Sequence, residues 1–417
     1  PLPKMVRVRQ KFDRSHIEPG LIEHVAMEEL EKSGIRKKIC PGNRIGIACG
    51  SRGISNIDKI VRTIVDFVKS CGGAPFIIPA MGSHGGATAE GQCQLLKGYG
   101  ISEETMGCPV GATMETVYLG DTKKGRPVYV DRYAREADGV ILCNRIKAHT
   151  LFRGKYESGL VKMAVIGLGK QKGAESVHRS GVAFMGETIP QFGRVIFDHL
   201  PILAGVGILE NAYEETYKIC CLTAEEIWEK EPELLEEAKE KMGRIWIPEA
   251  DVLVVDEIGK NISGDGMDPN VTGTYMVPGL DWERRSIRAA RTVVLDLSEE
   301  TKGNANGIGM ADVTTRRVLN KMDLDRTYPN SVTSTMVEGS KIPLCMHSDE
   351  TAVRLAVRTS CPDEGRARIV RIRNSMEVDV IQVSEPLIPE VMRSGQMELA
   401  GELQDWQFDE NGNLPEL

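Results

Sequence analysis

The sequence predicts an α/β protein built as two α/β domains that face each other across an active-site cleft. Three observations carry that expectation. Short apolar runs of strand length recur between stretches with helical spacing. Several of these runs end in glycine-rich, polar loops. The chain, at 417 residues, is longer than one hydrophobic core usually serves. A boundary is expected near residue 245, giving an N-terminal catalytic domain 1–245 and a C-terminal α/β domain 246–417 that closes over the site.

Composition narrows the function classes. A hydrophobic fraction of 41% is enough for cores, and a net charge of −8 without a long basic tract gives no reason to expect nucleic acid. The longest apolar run, Ile202 to Leu209, is far too short for a membrane span. No secretory pattern opens the sequence. Ten cysteines without a Cys-x-x-Cys pair read as reduced thiols, which points to the cytoplasm. The adjacent Cys220 and Cys221 read as strand residues.

Taken in order, Ile22 to Lys32 has helical spacing, and Pro41-Gly42-Asn43 is a turn. Arg44 to Cys49 is a strand, followed by the loop Gly50-Ser51-Arg52-Gly53. A helix from Ile57 to Ser70, capped by Ser55 or Asn56, carries Ile60, Ile64, Val65 and Val68 on one face. Strand, loop and helix in this order make the front of a βαβ unit. A second strand, Pro75 to Pro79, leads into a glycine-rich loop holding His84 and then a helix from Ala89 to Lys97. A third, Gly139 to Cys143, runs out to His149. Ligands of open α/β sheets sit at the carboxyl ends of strands. Arg52, His84 and His149 each follow such an end, so the three are expected to share a site. Arg145, Lys147, Arg153 and Lys155 flank it, either as a solvated face or as a focus for an anion.

The stretch His149 to His178 is the densest in chemistry. It holds two of the seven histidines, and Lys162 followed by a short apolar run. A buried lysine can be a nucleophile or a covalent anchor, and the histidines could supply a proton acceptor and a metal ligand. The plain alternative is a strand, Met163 to Ile166, that enters a turn and then a helix. Further on, Ile202 to Leu209 and Tyr217 to Leu222 look like paired strands. Thr223 and Glu226 form a capping box for a helix to about Met242. Pro232 is expected to break or kink that helix, which reads as the connection between domains.

A second α/β pattern starts with the strand Asp251 to Asp256 and its polar loop containing Glu257 and Lys260. A strand Thr292 to Leu297, a loop Lys302 to Gly309 and a helix Ala311 to Lys321 follow. Ser348 or Asp349 caps a helix through Ser360. Ile369 to Ile372 and Val378 to Val383 look antiparallel, and the acidic tail after Gly401 reads as surface.

The run Ser158-Gly159-Leu160-Val161-Lys162 resembles the Ser-Gly-Gly-Ala-Lys run of the nickel-dependent lactate racemase family. His84, His149 and His178 agree with that family's histidines in order and spacing. The resemblance is clearest from Arg44 to His178 and from Asp256 to Asn270. It implies a nickel-pincer nucleotide tethered to Lys162, with Arg52, Ser158, Gly159, Gly167 and Gly169 around it. It implies His178 as the nickel ligand and His84 and His149 as the catalytic pair of bases. Lys260, Glu257 and Lys147 fall on the substrate side. The activity implied is racemisation or epimerisation of a 2-hydroxy acid by hydride transfer to and from the cofactor. Partners implied are that small acid, the proteins that make the cofactor and further copies of the chain, with neither nucleic acid nor membrane. Three departures stand out: a short insertion between His149 and Lys162, Leu160 in place of a glycine, and Gly82-Ser83-His84-Gly85 where the lactate enzyme has Gly-Thr-His-Arg. They point to a larger or sugar-derived acid rather than lactate.

Two other classes compete. Gly167-x-Gly169-x-x-x-Gly173 after a strand would suit a nicotinamide-dependent 2-hydroxy acid dehydrogenase, although the spacing is longer than the dinucleotide fingerprint. A non-catalytic nickel- or nucleotide-binding protein would leave the two loop histidines without a task. No His-Glu-x-x-His of a zinc protease and no phosphate-loop motif occurs.

Overall fold

The structure is a computed structural model and describes residues 1–275, 277 and 285–417. The chain forms two compact units, one of Arg14–Met242 and one of Pro1–Asp13 with Gly243–Leu417. The first strand, β1 (Met5–Gln10), belongs to the second of these.

The unit Arg14–Met242 is organised on β2 (Arg44–Cys49) and β3 (Ala74–Pro79), then β6 (Gly139–Arg145), β7 (Ile202–Glu210) and β8 (Thr216–Thr223). A separate antiparallel ribbon, β4 (Thr116–Asp121) and β5 (Pro127–Asp131), lies in sequence between β3 and β6. The sheet order is β3-β2-β6-β7-β8, with the first four parallel and β8 antiparallel to β7. β2 and β3 bury every residue but the first, as strands covered on both faces do. The helix Ile57–Ser70 packs here with Ile60, Ile64, Val65 and Val68 fully buried. Its cap position is Asn56, but the side chain does not cap. The Asn56 amide donates instead to Ser55 Oγ (3.2 Å) and Thr216 Oγ1 (3.0 Å), tying the helix start to β8.

Two expectations fail in this unit. The apolar run Met163–Gly167 is not a strand but a π-helical turn, entered from the short helix Leu160–Lys162. The second is a break at Pro232: of the break or kink expected there, the break does not occur, and the proline lies inside the helix Ala224–Lys241. A proline has no N–H to give the carbonyl four residues back. That carbonyl, on Trp228, instead accepts the Tyr156 hydroxyl at 2.6 Å. The helix is also no mere connector, since Ile227, Trp228, Glu231, Leu235 and Ala238 are buried. The expected Thr223–Glu226 capping box is present.

The other unit has β9 (Glu249–Ile258), β10 (Arg288–Leu297), β11 (Val313–Thr315), β12 (Leu344–Met346), β13 (Ile369–Ile372), β14 (Val380–Ser384) and β15 (Met397–Leu399). With β1 they form one sheet, β12-β11-β10-β9-β13-β14-β1-β15. β12 through β13 are parallel, and β14, β1 and β15 continue antiparallel. β1 is hydrogen-bonded on both edges, which is why residues 1–13 join this unit rather than the span 1–245. The helix expected from Ala311 is shorter: Val313–Thr315 pairs with β10 and β12, and only Arg316–Lys321 is helical, capped by Thr315. Three β-branched residues in a buried position favour the strand. The tail after Gly401 is not all surface either. Trp406 Nε1 donates to Pro3 O (2.9 Å), and the Leu414 N–H to Asp349 Oδ2 (2.8 Å). No helix among the described residues is long and apolar enough to cross a membrane.

Candidate active site

Three adjacent parallel strands, β3, β2 and β6, deliver His84, Arg52 and His149 from their carboxyl ends. His84 is exposed, and its Nδ1 is hydrogen-bonded to Ser51 Oγ. The Ser51 carbonyl accepts the Tyr99 hydroxyl at 2.7 Å. Burial pushes the Tyr99 phenol up, while the charges of Arg52 and Arg145 pull it down, so both guanidiniums lie within electrostatic reach of that ring. Arg145 pairs with Glu210, whose other oxygen accepts the Ser55 N–H at 2.8 Å.

His149 is held on every side. Its N–H donates to Glu157 Oε2 (2.8 Å), and its carbonyl accepts Arg153 Nη1 (2.6 Å). Its ring stacks on Phe152 at 4.1 Å. Nδ1 accepts the Leu151 N–H at 3.0 Å. A backbone N–H can only donate, so in the neutral ring the proton sits on Nε2. Burial holds His149 well below the ordinary histidine range, helped by the charges of Lys162, Arg153, His178 and Arg52. Those four groups are therefore its electrostatic neighbours.

The loop that carries His149 closes on itself. Lys147 and Ser158 exchange backbone hydrogen bonds, Lys147 N–H to Ser158 O (2.8 Å) and Ser158 N–H to Lys147 O (3.2 Å). Inside it, the buried Glu157 also takes Lys239 Nζ at 3.0 Å. Next comes Gly159, whose carbonyl accepts Asn144 Nδ2 at 3.0 Å. Any side chain there is excluded, because a Cβ would stand 2.2 Å from Glu231 Oε1. Glu231 Oε2 accepts the Val161 N–H (3.1 Å), and the Leu160 N–H also bonds the carboxyl, so this buried group caps the helix that presents the half-buried Lys162. Burial pushes Glu231 up to about 8, against those two N–H groups.

The π-helical turn that follows is locked to the His84 loop. The Gly82 N–H donates to Gly167 O at 3.1 Å, and a Cβ on Gly167 would lie 2.7 Å from Ala80 O. Such turns recur at functional sites. The space in front of Gly169 is likewise taken by backbone, the Val165 carbonyl, so both glycines serve close chain approach. The helix Lys170–His178 then ends on His178. Its Nδ1 lies 2.7 Å from Ala174 O. A carbonyl can only accept, so Nδ1 carries the proton and Nε2 keeps its lone pair. Burial lowers the proton affinity of His178 and Lys162 lowers it further, while the Ala174 bond opposes them. That is the tautomer a metal-binding imidazole needs. Among the described residues, no group of three His, Cys, Asp or Glu side chains is arranged to hold a metal ion.

Lys260 and Glu257 belong to the other unit. Glu257 Oε1 accepts Asn374 Nδ2 at 3.1 Å and lies 3.6 Å from Arg373 Nε. Lys260 Nζ donates to Gly264 O at 2.5 Å. The dinucleotide alternative loses its footing, because the glycines at 167 and 169 follow a helical turn and not a strand.

Several residues here escaped sequence reading. Glu157 was visible only as one acid among Arg145, Lys147, Arg153 and Lys155. Glu231 had no signal, since its helix read as an acidic connection between domains. Lys170, Asp131 and Gln92 lie far apart in sequence and meet only in the fold.

Residues 8–187 match the family model of the lactate racemase N-terminal domain. No curated protein matches the sequence. Among solved structures, the lactate racemase apoprotein of Thermoanaerobacterium thermosaccharolyticum aligns with a TM-score of 0.55 at 11% identity, over 89% of this chain and 93% of that one. At that identity the likeness speaks for the fold alone. A protein of Thermotoga maritima aligns at 0.47 with 14% identity, over 67% of this chain and 71% of that one. Residues 8–187, a little under half of the chain, are thus similar to the lactate racemase N-terminal domain.

Proposed function

We propose that this protein is a racemase or epimerase of a 2-hydroxy acid that works with a nickel-pincer nucleotide, tethered at Lys162. One observation carries the reading. His149 feels the charges of Lys162, His178, Arg153 and Arg52 together, in a unit most of which matches the lactate racemase N-terminal domain. The residues fit the group: His178 offers a bare Nε2 lone pair, suited to a borderline metal such as nickel. When bound, the cofactor supplies a centre that takes up hydride and returns it.

The chain's own residues do the rest. Arg52 and Arg153 offer cationic charge for the acid's carboxylate. His84, exposed on its glycine loop and steadied by Ser51, takes the hydroxyl proton for one isomer. His149 serves the other. In the free protein its Nε2–H is a donor that can hold the substrate oxygen. To accept the hydroxyl proton at Nε2, the ring must first carry its own proton on Nδ1, which means giving up the Leu151 N–H. An anionic substrate favours this, because it offsets the cations that depress the ring's proton affinity. Lys147, Lys260 and Glu257 are the further substrate-side groups of the reading. It also calls for cofactor-synthesis proteins as partners, a cytoplasmic setting, which the ten free cysteines suit, and self-association.

The test is to co-express the protein with cofactor-synthesis proteins and measure nickel content, intact mass and isomerisation of a panel of 2-hydroxy and sugar acids. The expected result is bound nickel, an added mass that disappears in Lys162→Ala, and epimerisation of at least one acid. A protein that gains neither nickel nor mass under conditions that load an authentic lactate racemase refutes the reading.

A further inference from the structure

Beneath the site lies a polar cluster that the chemistry above does not use. Lys170 is fully buried, yet it opens the helix that ends on His178. Its Nζ donates to Pro79 O, at the end of β3, and to Gln92 Oε1 at 3.1 Å. It lies 3.1 Å from Oδ2 of Asp131, which is also fully buried. Gln92, buried as well, donates from Nε2 to two carbonyls of the His84 loop, Gly82 O at 2.9 Å and His84 O at 3.1 Å. Asp131 closes the cluster by accepting the Ala134 N–H (3.0 Å), while its own N–H donates to Leu168 O (2.6 Å).

The lysine stands at φ +54°, a left-handed conformation that glycine adopts without strain and a lysine does not. Its immediate neighbour is Gly169. A side chain kept at a strained position and taken fully out of water needs a compensating task. The amide of Gln92 shows what that task is. Its two ends are nearly the same shape, so packing alone does not orient it. With an ammonium against Oε1, the N–H donors must face Gly82 and His84. With the ammonium gone, Oε1 would be a buried acceptor without its cationic donor, and the amide would be held only through its two bonds to the loop.

We propose that Lys170 is a positioning residue for His84: by fixing the orientation of Gln92 it fixes the two carbonyls that set the path of the His84 loop, and ties that loop to the segment bearing Lys162 and His178. The inference deepens the reading of His84 as a site residue and rests on it for its meaning, but its test needs no turnover.

Two variants separate positioning from bulk stability. Gln92→Glu keeps an acceptor for Lys170 and removes both donors to the loop. Lys170→Met removes the ammonium and keeps the length. The readouts are the NMR titration of the His84 ring, with His24 and His199 as internal references, and hydrogen exchange at the amides of Gly82, His84 and Ala87. Both variants should shift the His84 midpoint by about half a pH unit or more. They should speed loop exchange by about tenfold or more, while His24 and His199 stay in place. Folded variants with an unchanged His84 titration and loop exchange overturn the proposal. Should neither variant fold, the unaltered protein decides: the Gln92 side-chain N–H protons should be slow to exchange, with cross-peaks to the His84 loop, and a freely rotating amide overturns it. An inactive but correctly behaving protein would count against the racemase reading alone.

Discussion

At the scale of single residues, the backbone assigns opposite duties to two imidazoles. Leu151 N–H fixes the proton of neutral His149 on Nε2, and Ala174 O fixes that of His178 on Nδ1. Nitrogen-15 NMR near pH 7 should therefore show the two rings as opposite tautomers; the same tautomer in both would contradict the geometry. Because His149 is held below the free value of about 6.5, the unfolded chain takes up a proton that the folded one refuses as pH falls through that value. Stability should thus decline below about pH 6.5, and His149→Gln should flatten that part of the curve. Glu231 has the opposite sense. Its folded value of about 8 lies above the ordinary glutamate 4.5, so stability is greatest in acid and falls as pH rises between the two. The gap of 3.5 units sets a ceiling on the order of 5 kcal/mol. Glu231→Gln keeps an acceptor for the Val161 N–H and cannot ionise, so urea midpoints at pH 6 and pH 9 should lie closer together than in the native chain. Equal gaps would show that Glu231 is not ionising in that window. Arg52, His84 and His149 could be picked out from sequence because each follows a strand in a polar loop. Glu231 could not, because its importance comes from a contact with Gly159 some seventy residues earlier.

At the scale of elements, periodicity located the long pieces well. The helix Ile57–Ser70 and the strand Arg44–Cys49 have the expected ends, because each buries a clear face or run over its whole length. It misread Met163–Gly167, since four apolar residues in a row carry no period that separates strand from helix. It misread Pro232 for a different reason. The rule that proline breaks a helix assumes that the freed carbonyl has no other donor, and Tyr156 supplies one from outside the helix. This explanation predicts a coupling. Tyr156→Phe should cost about 1–2 kcal/mol by leaving Trp228 O unsatisfied. In a Pro232→Ala background, where residue 232 regains its N–H, the same substitution should cost clearly less. A double-mutant cycle from urea unfolding checks it, and additive effects would mean that the tyrosine is not what lets the helix pass the proline.

At the scale of the whole molecule, sequence order and structural unit do not coincide. β1 lies between β14 and β15 in the second unit's sheet, so the chain begins in one unit, builds the other, and returns. Sequence reading could not find this, because a short strand with a mixed polar pattern shows nothing of partners that lie at the far end of the chain. The consequence is asymmetric. Deleting residues 1–13 removes a strand from inside the sheet of Gly243–Leu417 and exposes the edges of β14 and β15, but takes no strand from the sheet of Arg14–Met242. The truncated protein should therefore unfold in two steps, with the second unit markedly destabilised and the first little changed. The fragment 14–242, expressed alone, should fold and keep the opposite tautomers of His149 and His178, since every contact that fixes them lies within it. Two-dimensional NMR of the truncated chain and the fragment makes the comparison directly. Loss of dispersed signals from residues 14–242 in the truncated protein, or a fragment without dispersed signals, would mean that this unit does not stand on its own core.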